Sequence, residues 1–204
     1  MAGPEHGGQH SFAVTQFMSK VENLGGIARK NRFSIEVIPP TSLKSKIQSS
    51  TINFLAKTIS FPARSFGTTT YRSGGQFGLT VPYETTMEPV SLTMLNTNNQ
   101  APRIFWTDWL EHIQGMNSYN MQYYKKFIGT VKIMNFSEDQ VFQERPSANY
   151  EVTLHEAFPK GIGAIELGWE NSDLQDFEID IQYSWWTASS ETDSKGRRIG
   201  TTNQ

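Results

Sequence analysis

Apolar and polar residues alternate strictly from Phe177 to Trp185. Phe177, Ile179, Ile181, Tyr183 and Trp185 fall on one side; Glu178, Asp180, Gln182 and Ser184 fall on the other. A period of two over this length predicts a strand with one dry and one wet face. Upstream, Val152 and Leu154 alternate with Thr153 and His155, and Pro159, Gly161 and Gly163 then interrupt the run. This predicts a shorter strand that ends in a turn segment before an acidic loop. Further alternations place Phe33, Ile35 and Val37 on one face before Pro39-Pro40, Val90, Leu92 and Met94 on another, and Val131 and Ile133 within 129–136. Gly74, Gly75 and Gly78 among strand formers between Thr69 and Leu79 predict a hairpin. Pro82 suits an edge or a strand end.

Two stretches carry a helical period instead. From Ser11, residues Phe12 or Val14, Phe17, Val21 and Leu24 form a stripe that Gly25-Gly26 stops, which predicts a short helix over 11–26. Such a helix packs on its own domain or on a neighbour. The stronger helix holds Phe105, Trp106, Trp109, Leu110 and Ile113 on one broad face, with Pro102 in its first turn and Gly115 at its end. Asp108, Glu111 and Gln114 form its wet side. Residues 41–50, TSLKSKIQSS, have no sustained period and read as a loop, as do Asn117 to Lys126 and the turn at Glu138-Asp139-Gln140. The fold class is therefore mainly β with one main packed α-helix, an α+β domain of antiparallel strands.

Composition narrows the function. The chain of 204 residues fits one domain, 11–186, with a flexible leader over 1–10 and a flexible hydrophilic tail over 187–204. A formal net charge of −2 argues against a basic nucleic-acid-binding surface. With no cysteine there is neither disulfide nor thiol chemistry. No apolar run approaches the ~20 residues of a membrane helix, and the N-terminus lacks the basic and apolar regions of a secretory signal. An intracellular product without membrane insertion is the expectation.

Candidate chemistry is sparse. His155 stands beside Glu156 in a strand, where neighbours point to opposite faces and do not converge on one ion. His112 follows Glu111 on the helix without a ligand at i+4. No nucleophile elbow, P-loop or dinucleotide fingerprint is present, so no catalytic residue, metal or cofactor is assigned. Tyr119, Tyr123, Tyr124, Lys125 and Lys126 form one short cluster rather than a nucleic-acid-binding stripe.

The ordered series Glu156-Ala157-Phe158-Pro159-Lys160, Ile165-Glu166-Leu167-Gly168-Trp169 and Phe177 to Trp186 resembles the C-terminal half of the tail tube proteins of contractile-tailed, T4-like bacteriophages. The entry segment from Leu24 to Phe33, the run from Phe54 to Thr68 with Phe61 for the usual Leu, and the Arg103–Trp109 spacing are similar to the same family. The resemblance implies a β-sandwich or barrel of the tail tube type that forms hexameric rings whose inner strands merge into one continuous barrel. It implies a structural virion protein of the tail, with stacked rings as a DNA conduit, a sheath outside and a baseplate below. It also implies that the polar strand face lines the lumen, with Glu178 and Asp180 as lumen acids, and that the loop holding Leu43, Lys44, Lys46 and Ile47 reaches the next ring. DNA would pass without specific binding. A baseplate tube initiator of the same fold and the tube of a bacterial secretion machine are alternatives within the resemblance. The different-class alternative is a monomeric β-sandwich that binds carbohydrate through Trp185, Trp186 or tyrosines.

Overall fold

The computed structural model describes residues 14–23, 26–43, 47–72, 74–75, 77–136, 148–170 and 172–190. In chain order the elements are α1 (Val14–Asn23), β1 (Phe33–Ile38), α2 (Ser49–Asn53), β2 (Ala56–Ile59), β3 (Arg64–Tyr71), β4 (Leu79–Met87), β5 (Val90–Leu95), α3 (Ala101–Ile113), α4 (Tyr124–Phe127), β6 (Gly129–Asn135), β7 (Tyr150–Ile162), β8 (Asp176–Gln182) and β9 (Trp185–Ser190).

Every ladder is antiparallel. One sheet has the order β1-β6-β7-β9 and a second has the order β7-β8-β5-β2, so β7 belongs to both. The handover is local. Pairing with β9 ends at His155↔Trp185, pairing with β8 begins at Phe158↔Gln182, and Glu156 between them adopts φ 53°. A left-handed residue in a strand re-aims the chain as a bulge does, and here it turns β7 from one sheet into the other. The alternation of β7 alone predicts none of this. Pro159 and Gly161 do not end the strand as expected, because past Ala157 the strand has β8 on one side and no ladder on the other among the described residues. A strand without a partner on one side tolerates a residue that lacks an N–H.

The alternation from Phe177 also breaks earlier than its period suggests. Tyr183 and Ser184 form a corner after β8, and Trp185 and Trp186 open β9, which pairs with the N-terminal half of β7 and runs four residues beyond Trp186 to Ser190. The period fails at this corner: Trp185, expected on the dry face, is 43% exposed and stacks on His155, while its neighbour Trp186 packs against the core.

The dry faces of the two sheets meet in one core. Ile35 and Val37, Val131 and Ile133, and Val152 and Leu154 come from the first sheet; Val90, Leu92 and Met94, Phe177, Ile179 and Ile181 come from the second. The fold is thus a sandwich; β1 and β2 do not pair, so no barrel closes among the described residues. Its principal helix packs across β7 and seats Phe105, Trp106, Trp109 and Ile113 in the core, as its stripe predicts, while Leu110 is half-buried. Trp106 and Trp109 stack at 5.5 Å with 4° between their planes. Each indole N–H is satisfied, that of Trp106 by Met94 Sδ at 3.1 Å and that of Trp109 by the Phe127 carbonyl at 2.8 Å. Gly129 sits against this ring; a Cβ there would lie 2.5 Å from the Ile38 carbonyl oxygen and 2.8 Å from the Trp109 ring.

Two shorter features were less legible. The end of the 41–50 loop begins α2, whose Ile52 is fully buried. The N-terminal helix spans 14–23 and is closed by Gly26 at φ 87°, whose N–H bonds the Val21 carbonyl at 2.9 Å, a left-handed stop that favours glycine. Phe12, Leu24 and Gly25, and the turn at 138–140, lie outside the described residues.

Tyr183 is 3% exposed and its hydroxyl is buried without a hydrogen-bond partner among the described residues. Burial, and then the charge of Glu88, push its phenol upward. An unsatisfied buried hydroxyl costs ~1–3 kcal/mol, so Tyr183→Phe is expected to stabilise the fold by about 1 kcal/mol. A rise in the urea midpoint at constant slope would show it; a fall would mean that the hydroxyl is satisfied in solution.

Candidate assembly interface

The wet face of β8 carries Glu178 and Asp180, both exposed and on the same side as Asp176. In register they stand opposite Thr93 and Ser91 of β5, and the Ser91 hydroxyl donates to the Glu178 carboxylate. Lys57 of β2 pairs with Asp176 at the end of the same sheet. The second sheet therefore shows solvent a hydroxyl-rich surface on which Glu178 and Asp180 stand out as acids. The structure leaves both sequence candidates together on one face.

Among the described residues that sheet also ends in two open edges, β2 on one flank and the Phe158–Ile162 part of β7 on the other. An open edge presents unpaired N–H and C=O groups and is a template for another chain. The first sheet is better guarded at β1, where the Val37 N–H is taken up by Asn53 Oδ1 of α2 at 3.2 Å. Sequence reasoning could not find these edges, since no residue type marks which strand lacks a neighbour.

The loop candidates separate. Leu43 and Ile47 are half-buried and rest on the domain's own core, whereas Lys44 and Lys46 lie outside the described residues. A more prominent projection is the β3–β4 hairpin, a two-stranded sheet that leaves the body between β2 and β5. Phe66, Tyr71, Leu79 and Tyr83 on it are more than half exposed. Its glycines announced the hairpin, but the exposure of its aromatics is a tertiary fact.

His155 and Glu156, expected on opposite faces, line one cleft of about 510 Å³ with Trp185, Lys125 and Lys126. The left-handed turn at Glu156 cancels the alternation. Glu156 accepts from the Tyr124 hydroxyl at 2.9 Å, and Ser184 shares the same hydroxyl at 2.8 Å. Hydrogen bonds from Ser184 and Tyr124 hold the Glu156 carboxyl below its usual range. The His155 ring stacks on Trp185 at 3.7 Å and meets Thr187 Oγ1 at 2.9 Å. Burial lowers its pKa, and nearby Glu156 opposes that shift. His112 joins Ser42 Oγ at 2.9 Å, a link between helix and loop. None of these groups is arranged as nucleophile, base and orienter.

The His155 shift has a testable sign. Its folded pKa lies below the usual 6.5, so under that value the unfolded chain binds more protons and stability falls as the pH drops toward the folded pKa. His155→Gln is expected to flatten the decline below pH ~6.5 that this histidine causes. Urea midpoints at pH 7.5 and 5.5 for both proteins check it, and an unchanged slope would refute it.

A two-sheet antiparallel domain with an acidic open-edged sheet and a projecting hairpin defines a β-rich building block. Residues 28–189 match the family model described as phage tail tube protein, and the chain belongs to that family. The tail tube protein of Serratia phage KSP90 is 25% identical over 175 residues, covering 83% of this chain and 93% of its own. Two solved structures share the fold. A chain of the extended PVC sheath–tube complex of an extracellular contractile injection system has a TM-score of 0.59 at 15% identity, covering 85% of this chain and 97% of that one. The chain matched in the PVC sheath/tube terminator structure has a TM-score of 0.57 at 15% identity, covering 79% of this chain and 96% of that one. The chain is accordingly a structural tail tube protein of a phage, with a mostly β fold.

Proposed function

We propose that copies of this chain join edge to edge, β2 of one against the Phe158–Ile162 segment of β7 of the next, and close into a ring of six that stacks into the tail tube and conducts DNA. The observation that carries this reading is that one sheet has both open edges and an acidic outer face. An edge of one kind meeting an edge of another is a heterologous contact, and such contacts form a ring when the rotation closes. Closure removes every open edge of that sheet at once.

In the ring the wet face of the second sheet turns inward, so that Glu178 and Asp180 line the lumen. Acids repel the polyanion and deny it the phosphate contacts that would hold it. The virion tail is the site of action. A sheath lies outside and a baseplate below. Stacking uses the loop with Leu43, Lys44, Lys46 and Ile47 together with the β3–β4 hairpin, whose exposed aromatics need a surface to cover them. The domain in this reading is 11–186, extended by the last residues of β9, with the terminal segments outside the ring contact.

Negative-stain electron microscopy and mass photometry of the purified protein test it. Rings with a central hole are expected. Tubes that lengthen with concentration mark a tube subunit, and growth that stops at one ring marks a baseplate initiator of the same fold. Monomers alone at high concentration, even with isolated baseplates as template, would overturn the reading.

A further inference from the structure

We infer that α1 of one copy seats in the cleft between α3 and β7 of the next copy around the ring. This rests on the edge-to-edge ring proposed above and names a second contact that the ring creates.

The helix cannot stand alone. Val14, Phe17, Met18 and Val21 recur at i, i+3, i+4 and i+7 and make one apolar face. On its own body that face is uncovered: Val14 is 75% exposed, Met18 58% and Phe17 44%. Ten residues form a helix ~15 Å long, and helices shorter than ~12–15 residues are marginal in water without tertiary packing. Its apolar stripe requires a partner surface.

One surface has the matching character. A cleft of about 630 Å³ opens between the C-terminal half of α3 and the edge segment of β7, lined by Leu110, Ile113, Met116, Tyr119, Met121 and Phe158. Met116 is 80% exposed and Met121 70%. Flexible thioethers at a groove adapt to the apolar face of a helix. The rim carries Glu111 and Lys160, and α1 carries Lys20 and Glu22, so each charge has an opposite available.

Position selects the occupant. The tether of α1 lies at the β2 flank: Ala28, Arg29 and Lys30 line a cleft with Lys57, Thr58 and Ile59. The methionine-rich cleft lies at the opposite flank, beside Phe158, Pro159 and Lys160. The order β7-β8-β5-β2 sets the two flanks three ladders apart in one chain. Joining β2 of one copy to β7 of the next brings the tether of α1 up to the cleft of its neighbour. The edge contact and the helix contact are then parts of one interface.

The absence of cysteine from the chain makes the test direct. Proteins carrying Met18→Cys alone and Met121→Cys alone are mixed, assembled and oxidised. A disulfide-linked dimer is expected in isolated single rings and from the mixture, and neither variant alone should give one. A parallel mixture of Thr58→Cys and Lys160→Cys, joined by a short bismaleimide, reports the sheet edge. Edge dimers without helix dimers would overturn the inference and leave the ring standing. Absence of both would overturn the ring and the inference with it. A helix link that forms only within a chain carrying both substitutions, or only between stacked rings, would also overturn it. Independently, Phe17→Asp with Met18→Asp should leave the monomer's thermal midpoint unchanged and weaken ring association at least tenfold; unchanged association would refute the contact.

Discussion

Trp109→Ala is expected to leave little folded protein at 25 °C. The side chain is fully buried, stacks on Trp106 and meets Phe105 edge-on at 6.1 Å. Truncating a buried tryptophan costs ~3–5 kcal/mol through lost transfer energy and the cavity left behind. The Phe127 carbonyl also loses its indole donor at 2.8 Å, and a buried acceptor without a partner adds ~1–3 kcal/mol. Together these rival the whole stability of a typical domain, ~5–15 kcal/mol. The loss is not local. Trp109 also backs Gly129, where β6 begins beside β1, so the cavity opens under the first sheet as well as under α3. Leu110→Ala on the same helix is the comparison, because that residue is only half-buried. Urea unfolding followed by near-ultraviolet circular dichroism should show the tryptophan variant unfolded or nearly so and the leucine variant clearly folded. Equal midpoints for the two would mean that the core is not centred on this ring.

How far these features could be read from sequence depends on whether a residue's environment is set by its neighbours in the chain. The α3 stripe was legible because helical period and side-chain size agree, and four of its five large residues are in the core. The strand faces of β1, β5, β6 and β8 were legible for the same reason at period two. The break at Tyr183-Ser184 was not, since Trp185 continues the alternation in the sequence although the chain changes sheet there and leaves that ring exposed. Pro159 and Gly161 misled in the opposite direction, because a strand's tolerance for them depends on which side lacks a ladder. At Glu156 a single left-handed residue put His155 and Glu156 into one cleft against the rule of alternation. α2 offered five residues with one buried side chain, too little for any period. For the candidate interface, the identity of Glu178 and Asp180 as wet-face acids was visible in the sequence. The open edges that give that face a use were not, because they are a property of strand order.

The lumen reading makes the other large prediction, Glu178→Lys combined with Asp180→Lys. Both side chains are exposed, and apart from the Ser91 hydroxyl that Glu178 accepts they make few local demands. Surface substitutions of this kind shift stability by ~0.5 kcal/mol or less, so rings should still assemble. The electrostatic change is far larger. Each copy exchanges two acids for two bases, and in a ring of six the wall gains about twelve lysines facing the duplex; even six phosphate contacts make affinity fall ~10³-fold between 50 and 200 mM salt. Tubes of the unaltered protein should retain no short duplex at any of these salts. Tubes of the double variant should hold it at low salt and release it steeply as salt rises, and virions carrying the variant should eject DNA more slowly. Glu166→Lys with Glu170→Lys, in the exposed loop before β8, makes the same charge change off the sheet face and separates a lumen effect from binding to the outside of the tube. If the two double variants retain DNA equally and eject it at the same rate, Glu178 and Asp180 do not face the conduit, and the acidic side of the second sheet is an outer surface of the ring.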